Sequence, residues 1–501
     1  MNSLMYGMKN VTNYGQTENG AVKHITTNSA LLDMFAMGAA MRNRSPENII
    51  LMFKKAYEEN KTYALKCLFY IADIRGGQGE RRFFRICLKW LADYDTDAVL
   101  RNLEYIPEYR RWDDLYALVG TKAENAAFAL IKKQLMLDVT CNTPSLLAKW
   151  LKSENASSKE TCHLGDITRQ HLGLTHKQYR QILSTLRTRI NIVEKLMSEN
   201  RWDEIEFDKI PSKAGMIYKN AFARRDLIKE KFERFAKDTA KKVNAKTLYP
   251  YEVVREAIKL MGTSSYSGRH IAMDDTNRLM INKYWDNLED YFNGATLNAL
   301  CMVDTSGSMT WSSNSGVMPI DVAVSLGLYC AEKAGGPFAN HYISFSSKPQ
   351  LIECVGSDFC DKVHRIASAN LCQNTNIEAA FDMVLNTAIQ NHVSQEDMPK
   401  NIIVISDMEF DQARDYSARY QSNNTLMENI MMKWKVHGYV APHLIYWNVN
   451  ARTNNIPMLG RDPISFVSGF SPSIFQTIMS GKTGYDLMME CLNKDRYSII
   501  K

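Results

Sequence analysis

The hydrophobic residues of this chain repeat with one period up to about Asn293 and with another after Gly294. From about Ser29 onward, apolar residues recur at helical spacing in segment after segment, with caps and breakers between them. In SPENIILMFKKAYEE (45–59), Ser45 is placed to cap, Pro46 suits the first helical position, and Ile49, Ile50, Met52, Phe53 and Tyr57 make one stripe. RRFFRICLKWL, NAAFALIKKQLML, QYRQILSTLRTRINIVEKLM and DLIKEKFERFAKDTAKK repeat the pattern, with no alternating strand pattern among them. Short amphipathic helices without strands stack pairwise, so an α-solenoid or helical ring is expected, irregular because no fixed repeat length is present. After Gly294, short apolar runs at 297–303, 339–345, 349–355, 401–406, 443–449 and 464–470 alternate with helical segments starting near Pro319, Thr375, Thr425 and Pro472. That alternation predicts a mostly parallel, doubly wound sheet. The run 349–355 follows its predecessor so closely that it is expected to pair antiparallel at an edge.

The expected organisation is therefore multidomain: an N-terminal tail (1–20), an all-α helical-repeat domain (21–293) and an α/β Rossmann-like domain (294–501). GTSSYSGRH (262–270) reads as a loop, which puts the boundary between Gly262 and Gly294. Length and a hydrophobic content of 45% supply ample core for two or three domains. No uncharged apolar run approaches the length of about 18 residues that a membrane span needs. The ten cysteines are scattered without a CxxC pair, and MNSLMYGMKN is not a secretory leader, so reduced thiols in a cytoplasmic, soluble protein are expected.

The net charge of +6 is unevenly spread: residues 1–300 hold 46 Lys and Arg against 36 acids, residues 301–501 hold 15 against 19. A basic first half raises the expectation of a nucleic-acid partner there. The 26 methionines fall mostly on apolar helix faces and read as core filler.

The most informative short stretch is CMVDTSGSMT (301–310), where a buried strand ends in an acid, two alternate serines and a glycine. In a doubly wound sheet the loops at the carboxyl ends of strands form the ligand crevice. Asp304, Ser306 and Ser308 at alternate positions can turn their oxygens to one side, and hard oxygens at short spacing suit Mg2+ or another small divalent cation. Thr375 in QNTNIEAAF and Asp407 in NIIVISDMEF add a hydroxyl and a second carboxylate from two further loops. One bland alternative is a polar turn capping the next helix. An enzymatic alternative is a phosphatase with a strand-end aspartate as nucleophile, but such a site carries a second acid two residues on, where this chain has Ser306.

The order DTSGSM, NTN, VISDME resembles the metal-ion-dependent adhesion site (MIDAS) of von Willebrand factor A domains. The resemblance implies that Asp304, Ser306, Ser308 and Thr375 are metal-shell oxygens, that Asp407 acts through water, and that a partner's carboxylate fills an open coordination position.

In the first half, Arg81, Arg85 and Lys89 share one helix face, with Arg82 beside them, and Arg75 precedes the glycine turn GGQG (76–79), which could free amides for a phosphate. Lys213, Lys219, Arg224 and Arg225 are interleaved with Tyr218 and Phe222, and Arg110 and Arg111 adjoin Trp112. Cations with aromatics are what single-stranded RNA grooves use, although charge runs on helices are usually solvated faces. CHLGD (Cys162, His163, Asp166) has no second ligand pair and reads as a loop, not a metal site.

A helical-repeat half followed by a von Willebrand A domain resembles the Ro ribonucleoprotein (TROVE) architecture, and RGGQGERR, IPSKA, DTSGSM, ISDMEF, YWNV and SGFSP resemble an uncharacterised family with the same layout. The Ro resemblance implies HEAT-like helices, non-catalytic binding of single-stranded, misfolded or small structured RNA, and a ribonucleoprotein scaffold. The residues Arg75, Arg81, Arg82, Arg85, Lys89, Arg110, Arg111, Lys213, Lys219, Arg224 and Arg225 are RNA-contact candidates from charge alone. The alternatives are a protein-only adaptor that grips an acidic residue of a partner such as a chaperone-like ATPase, and a magnesium-dependent phosphohydrolase.

Overall fold

The structure is a computed structural model that describes residues 12–190, 192–260, 275–311, 316–345, 348–367, 375–412, 424–459 and 463–501. The loop expected at 262–270, Cys372 and the first two residues of QNTNIEAAF lie outside these.

Successive short helices fill the first half. Ser45 caps the helix Pro46–Glu59, accepting from Asn48 N at 3.4 Å, and Ile49, Met52, Phe53 and Tyr57 are buried as their spacing requires. This helix packs on its sequence neighbours Lys61–Ala72 and Arg81–Tyr94, and the helices Ser212–Arg224 and Asp226–Lys237 pack in the same way further on. The loop between Lys61–Ala72 and Arg81–Tyr94 folds back on the end of the first helix. Gln78 N donates to Tyr70 O and Glu80 N to Ile71 O, and a Cβ on Gly77 would stand 1.9 Å from Tyr70 O, so only glycine fits.

Residues 12–24 differ from the expected tail. Tyr14–Gln16 (β1) and Val22–His24 (β2) form an antiparallel hairpin whose strands are too short to show an alternating pattern.

The second half contains the expected sheet. Ala299–Asp304 (β3), His341–Phe345 (β4), Gln350–Glu353 (β5), Asn401–Ser406 (β6), His443–Asn448 (β7) and Ile464–Ser468 (β8) lie in the order β5-β4-β3-β6-β7-β8. All pairings are parallel except β4 with the edge strand β5. The central strands are apolar except at their ends because both faces are covered. The helix Pro319–Lys333 crosses β3 closely: a Cβ on Gly327 would meet Val303 Cγ2 at 2.5 Å. Two helices not anticipated from sequence, Phe359–Ala367 and Gly484–Leu492, complete the layers.

The strand period of two divides the interior. Met302, Ile402, Val404, Leu444 and Tyr446 belong to one core, shared with helices of residues 30–189, whereas Cys301, Val303, Ile403, Ile405, Ile445 and Trp447 belong to the other, shared with helices of residues 193–292. Each core therefore draws residues from both sides of position 294. Direct contacts agree: Ala30–Met37 packs on β8, and Pro250–Leu260 packs on Pro319–Lys333 and Phe359–Ala367. Residues 496–501 return to the first half, where Tyr497 OH donates to Asp73 Oδ2 (2.9 Å) and Lys501 N to Asn102 Oδ1 (2.9 Å). The nine cysteines among the described residues are free thiols, and none of the described helices is long and apolar enough to cross a membrane.

Candidate metal centre

Parallel register sets the centre. Val303 pairs with Ile405, so the next residues, Asp304 and Ser406, end adjacent strands at the same level. Ser406 Oγ donates to Asp304 Oδ2 at 2.5 Å and Ser306 N donates to Asp304 Oδ1 at 2.9 Å. The chain then turns through the short helix Gly307–Thr310, which brings Ser308 Oγ to 3.1 Å from Ser306 Oγ and within hydrogen-bonding reach of the Asp407 carboxylate. Asp407 also accepts from Glu409 N at 3.1 Å and from Arg452 Nη2 at 3.0 Å. Thr375 stands just ahead of the helix Ile377–Gln390, its carbonyl accepting from Asp411 N at 3.0 Å. Asn19 links it to the rest, donating from Nδ2 to Glu409 O (2.7 Å) and to Thr375 Oγ1 (3.5 Å). Asp304, Ser306, Thr375 and Asp407 are all at most 1% exposed.

Asp304, Ser306, Ser308 and Asp407 are thus gathered in one crown at the carboxyl end of β3 and β6, and Thr375 is tied to it through Asn19 and Glu409. Burial, and then the charge of Asp407, push the Asp304 carboxyl up to about 7, against the hydrogen bonds from Ser406 and Ser306. Burial also raises Asp407, opposed by Arg452, the Glu409 amide and Ser308. Two buried acids that resist ionising together, ringed by three hydroxyls, form a donor set that a small, hard divalent cation fits. Ser406, Glu409 and Arg452 are participants the sequence reading missed. Glu409 was visible as the second acid in SDMEF, whereas Arg452 lies in a loop with no motif.

The basic clusters take a different form. Arg81 and Arg85 both bind Asp113 and Asp114, and Arg110 Nε reaches Asp114 Oδ2 at 3.3 Å. Arg82 donates to the carbonyls of Arg42 (3.0 Å) and Arg44 (2.7 Å), and Arg111 stacks 4.4 Å over Trp150. Lys213 pairs with Glu252 at 2.9 Å, Lys219 is buried against Glu256, and Arg225 stacks 4.9 Å over Trp202. Arg75 pairs with Glu108 at 3.2 Å on the surface. The Arg110 and Lys219 side chains are each 4% exposed, which corrects their assignment as phosphate contacts: Arg110 compensates the buried Asp114 and Lys219 the half-buried Glu256. Lys89 and Arg224 are exposed and form no ion pair among the described residues. The anticipated phosphate site at GGQG is corrected too, since Glu80 accepts from the amides of Arg82 and Phe83 at the helix start and the loop amides bond back to residues 70–73. CHLGD lies within the helix Lys159–Leu172, not in a loop, because Ser158 caps a helical segment there. It brings Asp166 near Glu154 and His176, but Arg169 binds both acids at 2.6 and 2.9 Å and explains the group as an ion-pair cluster.

The family model described as "Domain of unknown function (DUF2828)" matches residues 17–161 and 133–293, and the one described as "Domain of unknown function (DUF7788)" matches residues 298–496. An uncharacterized protein of Acanthamoeba polyphaga mimivirus is 28% identical over 516 residues, covering 94% of this chain and 86% of the viral one. Among solved structures, the Ro (RSR) protein of Deinococcus radiodurans is similar with a TM-score of 0.44 and 13% identity, covering 91% of this chain and 100% of that one.

Proposed function

The chain belongs to the DUF2828 family, and from that premise and the geometry of its crown we propose that it is a non-catalytic binding protein of Ro type, with RNA on the helical half and a Mg2+-dependent protein-docking face on the sheet domain. The observation that carries the docking face is the convergence of Asp304, Ser306, Ser308, Thr375 and Asp407 from three loops. Asp304, the two serines and Thr375 would hold the ion directly, with Asp407 acting through water. The bound ion supplies a positive point that draws an anionic oxygen from outside. The chain's own residues do the rest: Ser406 and the Ser306 amide fix Asp304, and Arg452 fixes Asp407. Addition of Mg2+ should raise the melting temperature of the wild type and leave Asp304→Ala unmoved; an unshifted wild type would remove the ion from the reading.

RNA binding is supported by the charge imbalance between the halves and by the exposure of Lys89, Arg224 and the Arg75 side chain. It is tested by salt-dependent retention of single-stranded RNA at low ionic strength, and no retention would dismiss it. One observation favours a second reading, a protein-only adaptor: many of the cations that suggested RNA are neutralised inside the fold. Partners that survive nuclease treatment in a pull-down would decide for it.

A further inference from the structure

The hairpin β1–β2 rests on the loops of the crown, and its stem and tip are held differently. The stem is fixed: Thr17, Lys23 and His24 are 6%, 4% and 2% exposed. Thr17 Oγ1 donates to Phe410 O at 2.7 Å, and His24 exchanges both backbone hydrogen bonds with Ile456 at 3.0 Å. At the tip, the backbone is anchored by Glu18 N to Glu409 Oε2 (2.8 Å) and Gln412 N to Asn19 O (3.1 Å), but the Glu18 side chain is 43% exposed. Its carboxylate pairs with Arg452 Nη1 at 2.5 Å, and Nη2 of the same guanidinium donates to Asp407 Oδ2 at 3.0 Å. An acid of the chain's own therefore sits one guanidinium away from Asp407.

The planar fork of arginine matches a carboxylate in geometry, and an ion pair this exposed contributes little, so the Glu18 side chain can swing off without moving the anchored backbone. What Glu18 occupies is a position for an anion beside the crown. We infer that Arg452 is the recognition residue for an acidic segment of a partner protein, which places one carboxylate on Arg452 in exchange for Glu18 and a second on the ion at the crown. Glu18 is then the built-in competitor. This inference rests on the cation reading of the crown.

The test is fluorescence anisotropy of a labelled, C-terminally amidated hexaglutamate peptide with the full chain in saturating Mn2+, alongside Mn2+ binding followed by electron paramagnetic resonance. Glu18→Gln should tighten the peptide by about two- to fivefold, Arg452→Gln should weaken it by about tenfold, and chelation should release it from both. Equal peptide binding by wild type and Glu18→Gln, or none by either, with Mn2+ still bound, overturns the inference and leaves the ion site standing. Absence of Mn2+ binding to the wild type overturns both. Displacement of the peptide by single-stranded RNA of equal charge at matched ionic strength also overturns it, because the surface would then read charge alone.

Discussion

Asp304 and Asp114 are both fully buried aspartates beside a second acid, yet their surroundings push them in opposite directions. Burial raises Asp114, but Arg110, Arg85 and Arg81 together hold its carboxyl below the ordinary range. Asp304 has no guanidinium partner among the described residues, and burial with Asp407 lifts it to about 7. The first cluster is complete within the fold, whereas the second has negative charge left over. A cluster of charge marks a ligand site only where the fold leaves part of it uncompensated.

The largest effect should come from breaking the complete cluster. Asp114→Ala leaves Arg110 without its acid and Arg81 and Arg85 with Asp113 alone, and should cost about 3–5 kcal/mol in denaturant unfolding. Next is the incomplete one: Mg2+ at a hundredfold over its Kd should add about 2.7 kcal/mol to the wild type and nothing to Asp304→Ala. The pH responses should oppose each other. Asp304 has a folded pKa above its unfolded value, so its contribution to stability is present at acid pH and is lost as pH rises through about 7. In chelator, the wild type should therefore lose stability between about pH 4 and 7, and Asp304→Asn or added Mg2+ should flatten that slope. Asp114, whose pKa is lowered, contributes above its unfolded value and loses that contribution as pH falls below about 4, so Asp114→Asn should blunt acid unfolding. Smallest in stability is the exposed surface: Lys89→Glu with Arg224→Glu should change unfolding by less than about 0.5 kcal/mol while lowering the salt slope of RNA retention by about one to two.

The crown was legible because Asp304 and Asp407 follow strands that the apolar runs locate, alternate spacing in DTSGSM fixes a shared direction, and Thr375 stands where a helical segment begins. The six strands and the antiparallel edge were legible for the same reason. The partial neutralisation of the basic clusters was not legible, because sequence shows that Arg81 and Arg85 share a face but not that Asp113 and Asp114, some thirty residues on, meet them there. The hairpin was invisible since its partners are hundreds of residues away, as in the 393-residue separation of Thr17 and Phe410, and Arg452 because one partner, Glu18, lies on that hairpin and the other, Asp407, lies 45 residues before it. The helices Phe359–Ala367 and Gly484–Leu492 escaped because nine residues give only about two and a half turns of period.

The packing of Ala30–Met37 against β8 has a consequence for synthesis. Phe35 O meets Ser468 Oγ across 433 residues of sequence. At roughly 5–20 residues per second, a ribosome needs between about 20 and 90 seconds to deliver that strand after the helix emerges. Throughout that interval the part of the helix that meets β8 lacks its native cover, which makes the nascent chain a natural client for chaperones that shield such surfaces.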